Sequence, residues 1–224
     1  MSSKPAARRR RAAIDADGVA VDALSVAVGE ERIRQPLLTR LMPPVVRSEF
    51  VVRQRLHRRI REGVDRGLTL AAAAPGFGKS TLLAAGRADE SAIRPVAWLT
   101  LVESEDDPVA LCGHLVDAIH AVRPQFGLDL REMLAPPAPP VQKALGRLAN
   151  SLATEAPLAL VLDDLDRIKN PAAQRVLAWL AENSPVSFQL VFASRADPMR
   201  PLAALRAHGE LVEPRAAELA LTGA

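Results

Sequence analysis

At 224 residues, 49% of them hydrophobic and 25% charged, the chain has a globular composition and enough length for one α/β core that folds without staples. Its one cysteine, Cys112, excludes an internal disulfide, and no apolar run approaches the ~20 residues that cross a bilayer, so a cytoplasmic protein with no membrane segment is expected. The net charge of +3 is unevenly spread: residues 1–62 carry 14 Lys and Arg against 7 Asp and Glu, leaving the remainder with 15 against 19.

Residues 1–35 lack sustained periodicity, which predicts a disordered or weakly helical basic leader ahead of one domain over 36–224. The run Arg8, Arg9, Arg10, Arg11 either touches nucleic acid or another acidic surface or, as such runs at chain ends more often do, stays solvated. Pro36, Pro43 and Pro44 punctuate the next stretch. Arg53 to Arg66 reads as an amphipathic helix, with Leu56, Ile60 and Val64 at spacing four.

A regular alternation follows. Leu68 to Ala74 is a continuous apolar run between Gly67 and Pro75, as a strand buried on both faces requires. A Gly-rich turn leads to a helix from Lys79 to about Ala88. Pro95 to Leu101 is the second strand, and Pro108 to Val122 a helix with Leu111, Leu115, Ile119 and Val122 on one side. Pro136, Pro137, Pro139 and Pro140 make a stiff loop before a helix over Val141–Thr154. Pro157 to Asp163 and Ser187 to Ser194 are further strands, separated by a helix over Pro171–Asn183. A last helix, Pro201–His208, leads to a short strand at Glu210–Pro214. Strands alternating with helices predict an α/β three-layer sandwich, with a mainly parallel sheet of about five strands.

Strand, then Gly76-Phe77-Gly78-Lys79-Ser80-Thr81, then helix is the arrangement that holds a triphosphate, and it predicts a P-loop NTPase fold. Glycines let the backbone curl its N–H groups toward phosphate oxygens, and the helix aims its positive end at the same anion. Lys79 is placed to reach the β- and γ-phosphates, and the Ser80 hydroxyl to ligate Mg²⁺. The strict pattern has Gly where this chain has Ala73; the bland alternative is a Gly-rich turn beside a chance Lys-Ser pair.

Leu158 to Asp164 sets two carboxylates at the end of an apolar strand, where ligands of parallel sheets bind. Asp163 is assigned to Mg²⁺, directly or through water. Asp164 either orients or deprotonates the attacking water or caps the following turn. Arg195, at the end of the next strand, either stabilises γ-phosphate charge or forms an ion pair with Asp197 or a neighbouring acid.

With these segments in hand, the chain resembles the nucleotide-binding domain of the STAND ATPases, specifically of the MalT-like, LuxR-type transcriptional regulators. The resemblance is collinear from Leu41 to about Thr222. It runs through Leu41-Met42-Pro43-Pro44-Val45-Val46-Arg47, Val52-Arg53-Gln54-Arg55-Leu56 and the phosphate loop Ala73 to Thr81, including the replaced first Gly. Ala97 to Leu101, Asp106-Asp107-Pro108, Leu162 to Leu165, Ser194 to Pro198, Leu202 to Leu211 and Arg215 to Leu219 continue it. The chain departs from the family pattern at Ala74, where Pro is frequent, and at Asp164-Leu165-Asp166, which replaces an Asp-aromatic-His tail.

The resemblance implies a switch that binds ATP or ADP with Mg²⁺, self-associates or engages other regulator modules, and resets by slow hydrolysis. It places Arg53 on the adenine side, the loop Pro75, Gly76, Phe77, Gly78, Lys79, Ser80 and Thr81 on the phosphates, Ser80 and Asp163 on Mg²⁺, and Arg195 on the γ-phosphate. No DNA-binding module of that family is visible in the chain, which runs to Ala224. Two rivals stand beside this reading: a nucleotide-holding interaction module that hydrolyses nothing, and a stand-alone P-loop turnover ATPase. A kinase would need a phosphoacceptor site or lid, which the sequence does not display, and a DNA motor would favour a basic core.

Cys112 and His114 do not share a helix face, so a packed thiol and an exposed imidazole are expected rather than a metal site. His57, His120 and His208 form no nucleophile–base pattern. Trp98 and Trp179 are expected in the core. The lack of Tyr and the 3% aromatic content argue against a stacking platform for single-stranded nucleic acid.

Overall fold

The computed structural model describes residues 36–46, 58, 60, 68–91, 94–135, 137–196 and 211–214. The expected leader, most of the expected Arg53–Arg66 helix, Arg53 itself and the expected Pro201–His208 helix lie outside them. Among the described residues, β1 (Leu68–Ala72), β2 (Val96–Thr100), β3 (Leu158–Asp163), β4 (Phe188–Ser194) and β5 (Leu211–Val212) form one sheet. Its order is β2-β3-β4-β1-β5. Every pairing is parallel. β4 therefore lies between β1 and β3, and the carboxyl ends of all three adjoin.

Period-two alternation sorts each strand's side chains onto two helix-covered faces. Leu68, Leu70, Ala97, Leu99, Leu158, Leu160, Leu162, Leu190 and Phe192 belong to the larger cluster. Four helices share that cluster: α2 (Pro108–Val122), α3 (Leu128–Leu134), α4 (Val141–Thr154) and α5 (Pro171–Asn183). Val96, Trp98, Ala159, Val161, Val191 and Ala193 pack on the opposite face with Leu83 and Ala84 of α1 (Lys79–Ser91). Helix, sheet and helix make the three layers of a P-loop NTPase sandwich. Removing each large aliphatic side chain from water contributes roughly 1.5–3 kcal/mol, and burial on both faces is why the strands read as unbroken apolar runs.

The same alternation decides where Asp163 goes. It has the parity of Ala159 and Val161, so its carboxylate lies on the α1 face.

Local chemistry sets the element ends. Asp107 caps α2, its carboxylate accepting from the Val109 and Ala110 N–H groups, with Pro108 in the first turn. Asn170 caps α5 in the same way, ahead of Pro171. β1 stops at Ala72, two residues short of the expected run. The reason is local: the carbonyls of Ala73 and Ala74 turn toward the Lys79 ammonium instead of continuing a strand. One short helix, α3 (Leu128–Leu134), was not anticipated. It starts after Gly127, whose φ of 77° is left-handed, and buries Leu130 and Leu134.

Two expectations need correction. His114 is buried, because its imidazole bonds the carboxylate of Glu105, itself 0% exposed. Trp98 is fully buried, but Trp179 is half-buried and flanks the larger cluster. Cys112 is packed as expected, and burial pushes its thiol up to about 12.

Candidate functional site

The phosphate loop begins where β1 ends. Ala73 donates its N–H to the Ser194 carbonyl at 3.2 Å, which ties the start of the loop to the end of β4. Ala73 is buried beside Leu82, with Phe77 packed against them, so the residue replacing the first Gly is part of the loop's apolar footing. Gly76 and Gly78 have φ of 88° and 69°, a region L side chains rarely adopt, and these two residues curl the chain into α1. Pro75 and Gly76 are exposed; Ser80 and Thr81 lie half-buried in the first turn of the helix.

Lys79 is 7% exposed, and its Nζ donates to the carbonyl oxygens of Ala73 at 2.6 Å and Ala74 at 3.1 Å. Burial pushes its ammonium below the ordinary lysine value; Asp163 opposes that push and Arg195 adds to it. The buried cation thus leans back on the loop's own carbonyls.

The Ser80 hydroxyl donates to Asp163 Oδ1 at 2.9 Å, and the Asp164 N–H donates to the same oxygen at 3.0 Å. Burial pushes the Asp163 carboxyl up, the Ser80 bond opposes this, and the adjacent Asp164 charge reinforces it. Two oxygen-bearing side chains from β3 and α1 therefore meet at one point beside the lysine.

Asp164 sits at φ 56°, the one non-glycine residue in the left-handed region among those described. Its side chain makes no capping bond to the turn that follows. It accepts instead from Arg195, with Nε and Nη2 at 3.2 and 3.1 Å from Oδ1 and Nη2 at 3.3 Å from Oδ2. Of the two readings open for Arg195 in the sequence, the ion pair with a neighbouring acid is the one this structure contains, and its partner is Asp164.

Sequence reasoning missed the residues that hold these groups in place. Asp166 accepts the Arg195 N–H at 3.0 Å. Asp106 accepts the N–H groups of Lys169 and Asn170, each at 2.6 Å, joining the loop after β2 to the loop after β3. Glu105 accepts from Arg40, His114 and the Val102 N–H, and Arg40 Nε also reaches the Thr100 carbonyl at 3.1 Å. Thr100 lies opposite Asp163 in the sheet register, so this cluster braces the strand end beside the site. Burial alone would raise the Glu105 carboxyl, but the hydrogen bonds from His114, Arg40 and Val102 outweigh it and hold it at about 2.

Among the described residues no three His, Cys, Asp or Glu side chains gather to hold a metal by themselves. No described helix is long and apolar enough to cross a membrane.

No family model matches the chain. It is 32% identical over 178 residues to the serine/threonine-protein kinase PknK of Mycobacterium tuberculosis, a match covering 78% of this chain and 16% of that protein. It is 28% identical over 181 residues to the HTH-type transcriptional regulator MalT of Yersinia pestis, covering 78% of this chain and 19% of that protein. The chain thus spans under a fifth of the length of either relative. A Walker-type ATPase of Pyrococcus abyssi superposes with a TM-score of 0.48 at 17% identity, covering 80% of this chain and 58% of that one. The parallel five-stranded sheet, the phosphate loop between β1 and α1, and the two curated relatives make the chain a P-loop NTPase domain.

Proposed function

We propose that the domain binds ATP and ADP with Mg²⁺ and serves as a nucleotide-dependent switch, of the kind found in MalT-like, LuxR-type STAND regulators. The observation that carries this reading is the meeting of the Ser80 hydroxyl and the Asp163 carboxylate at 2.9 Å, in the first turn of the helix that buries Lys79. In this reading the loop Pro75 to Thr81 wraps the phosphates, and Lys79 exchanges its carbonyl partners for phosphate oxygens. Ser80 and Asp163 would hold Mg²⁺, and the family resemblance assigns Arg53, which lies outside the described residues, to the adenine side. Mg²⁺, when bound, neutralises phosphate charge that the buried site would otherwise tolerate poorly.

Hydrolysis is slow in this account. Water adds to the γ-phosphorus, the bond to the β–γ bridging oxygen breaks, and Asp164 takes the water's proton, giving ADP and phosphate. Arg195 stabilises charge on the transferred group. The output is conformational: self-association, or engagement of other regulator modules. The similarity to a protein named a transcriptional regulator and to one named a kinase supports a shared nucleotide module inside larger proteins.

One observation favours a second reading, a nucleotide-holding module without hydrolysis: Asp164 is engaged by Arg195 and is not free to serve as a base. The two are separated by titrating the chain with fluorescent ATP and ADP, with and without Mg²⁺, while following phosphate release and particle size. Binding with slow phosphate release and an ATP-dependent size change supports the switch. Binding without release supports the holding module. A folded chain that binds neither nucleotide sinks both.

A further inference from the structure

We propose that the Arg195 guanidinium exchanges partners, pairing with Asp164 when no terminal phosphate is present and with that phosphate when ATP enters, while Asp166 acts as the fixed pivot. This inference rests on the nucleotide-binding reading above and adds a mechanism by which the site tells ATP from ADP.

Three features of the geometry support it. Arg195 is held at two points by different chemistry. Its backbone N–H donates to Asp166 Oδ1 at 3.0 Å, while its side chain grips Asp164 through Nε and Nη2 at 3.1–3.3 Å and keeps only a longer 4.0 Å ion pair with Asp166 Oδ2. Because the backbone bond is separate from the side-chain bonds, the guanidinium can leave Asp164 without the backbone leaving Asp166.

The side-chain pair is also breakable. The Arg195 and Asp164 side chains are 42% and 26% exposed, so water and salt screen their attraction. A planar guanidinium accepts a phosphate in the same forked manner as a carboxylate, and a terminal phosphate carries more charge.

Position supplies the third feature. Ala73, at the start of the phosphate loop, bonds the Ser194 carbonyl just before Arg195, and Asp164 follows directly on Asp163. Arg195, Asp164 and the phosphate loop therefore stand on adjoining strand ends. ADP, lacking the terminal phosphate, would leave the pair closed. ATP would open it and free the Asp164 carboxylate. Asp166 is a positioning residue in this scheme, holding the Arg195 backbone N–H through Oδ1 while Oδ2 stays 4.0 Å from the guanidinium Nε.

The test is a double-mutant cycle read as the ratio of ADP to ATP dissociation constants, measured by calorimetry on the full chain. Asp164→Asn should raise the preference for ATP about tenfold, because Arg195 is released from its competing partner. In the Arg195→Gln background the same change should leave the ratio unmoved. Asp166→Ala should lower the ATP preference, and Asp166→Asn, whose amide oxygen can still accept the Arg195 N–H, should restore it. If Asp164→Asn shifts the ratio equally in both backgrounds, Asp164 acts by simple charge repulsion and the exchange is refuted. If Asp166→Ala leaves the ratio unchanged, the pivot is refuted. If wild type binds neither nucleotide, the nucleotide-binding reading itself fails, an outcome distinct from both.

Discussion

Ser80 and Asp163 are 83 positions apart in the chain and joined by a single 2.9 Å hydrogen bond, at the point where α1 begins and β3 ends. Neither residue needs the other for folding: each sits at the end of an element whose stability comes from its apolar face. Their meeting supplies two hard oxygen ligands, which is what Mg²⁺ selects. Ser80→Ala should therefore weaken ATP binding in Mg²⁺ about tenfold and leave binding in chelator nearly unchanged. Fluorescent-nucleotide titrations with and without Mg²⁺ make the comparison, and equal loss under both conditions would contradict it.

Gly76 and Gly127 offer a contrast between loop geometry and packing. Both have positive φ, but a Cβ on Gly76 would meet nothing within 4 Å, whereas one on Gly127 would lie 2.4 Å from Val116 Cγ1. Gly76→Ala should cost about 1–2 kcal/mol of backbone strain and weaken nucleotide binding. Gly127→Ala should cost roughly 2–4 kcal/mol and spare nucleotide affinity in the folded fraction. Urea unfolding beside nucleotide titration separates the two effects.

Glu105 predicts an acid limb to stability. Its carboxyl is held at about 2 in the fold against an ordinary value of 4.5. A depressed carboxyl value means the contribution is complete above pH 4.5 and drains away as pH falls through about 2. Glu105→Gln should lower stability near neutrality by roughly 3 kcal/mol, since it leaves the Arg40 charge without its buried partner. It should also flatten the pH dependence of the urea midpoint below pH 5, by about one proton. An unchanged slope would show that other carboxylates govern the acid limb.

Asp106 joins two loops through two backbone bonds of 2.6 Å to Lys169 and Asn170. Asp106→Ala should cost about 1–3 kcal/mol and act locally. Hydrogen exchange is the readout: the amides of Lys169 and Asn170 should lose protection while those of β3 keep theirs.

The strands were legible in the sequence because a parallel sheet covered on both faces demands unbroken apolar runs, and Leu158–Asp163 and Phe188–Ser194 supply them. The helices over Pro108–Val122, Val141–Thr154 and Pro171–Asn183 follow apolar periodicity and lie where the sequence puts them, two of them opened by a capping residue followed by Pro. α3 was not legible, because seven residues are too few to establish a helical period against a flanking Gly. Burial of Glu105 and His114 was hidden for a different reason. Glu105 stands among Glu103, Asp106 and Asp107 with nothing local to mark it as buried, and its partner Arg40 lies 65 residues away. Lys79, Ser80 and Asp163 came from motif chemistry, whereas the Asp164–Arg195 pair and the Asp166 anchor depend on how β3 and β4 lie side by side. No local pattern encodes that.

The most direct test of the central claim is calorimetric titration of Mg-ATP into wild type and Lys79→Ala, with thermal unfolding of both recorded alongside. Lys79 is a buried cation whose burial opposes its charge, so its removal should leave the melting temperature equal or higher. The account predicts that wild type binds and that Lys79→Ala, still folded, does not. A Lys79→Ala protein that melts normally and binds Mg-ATP as tightly as wild type would contradict it.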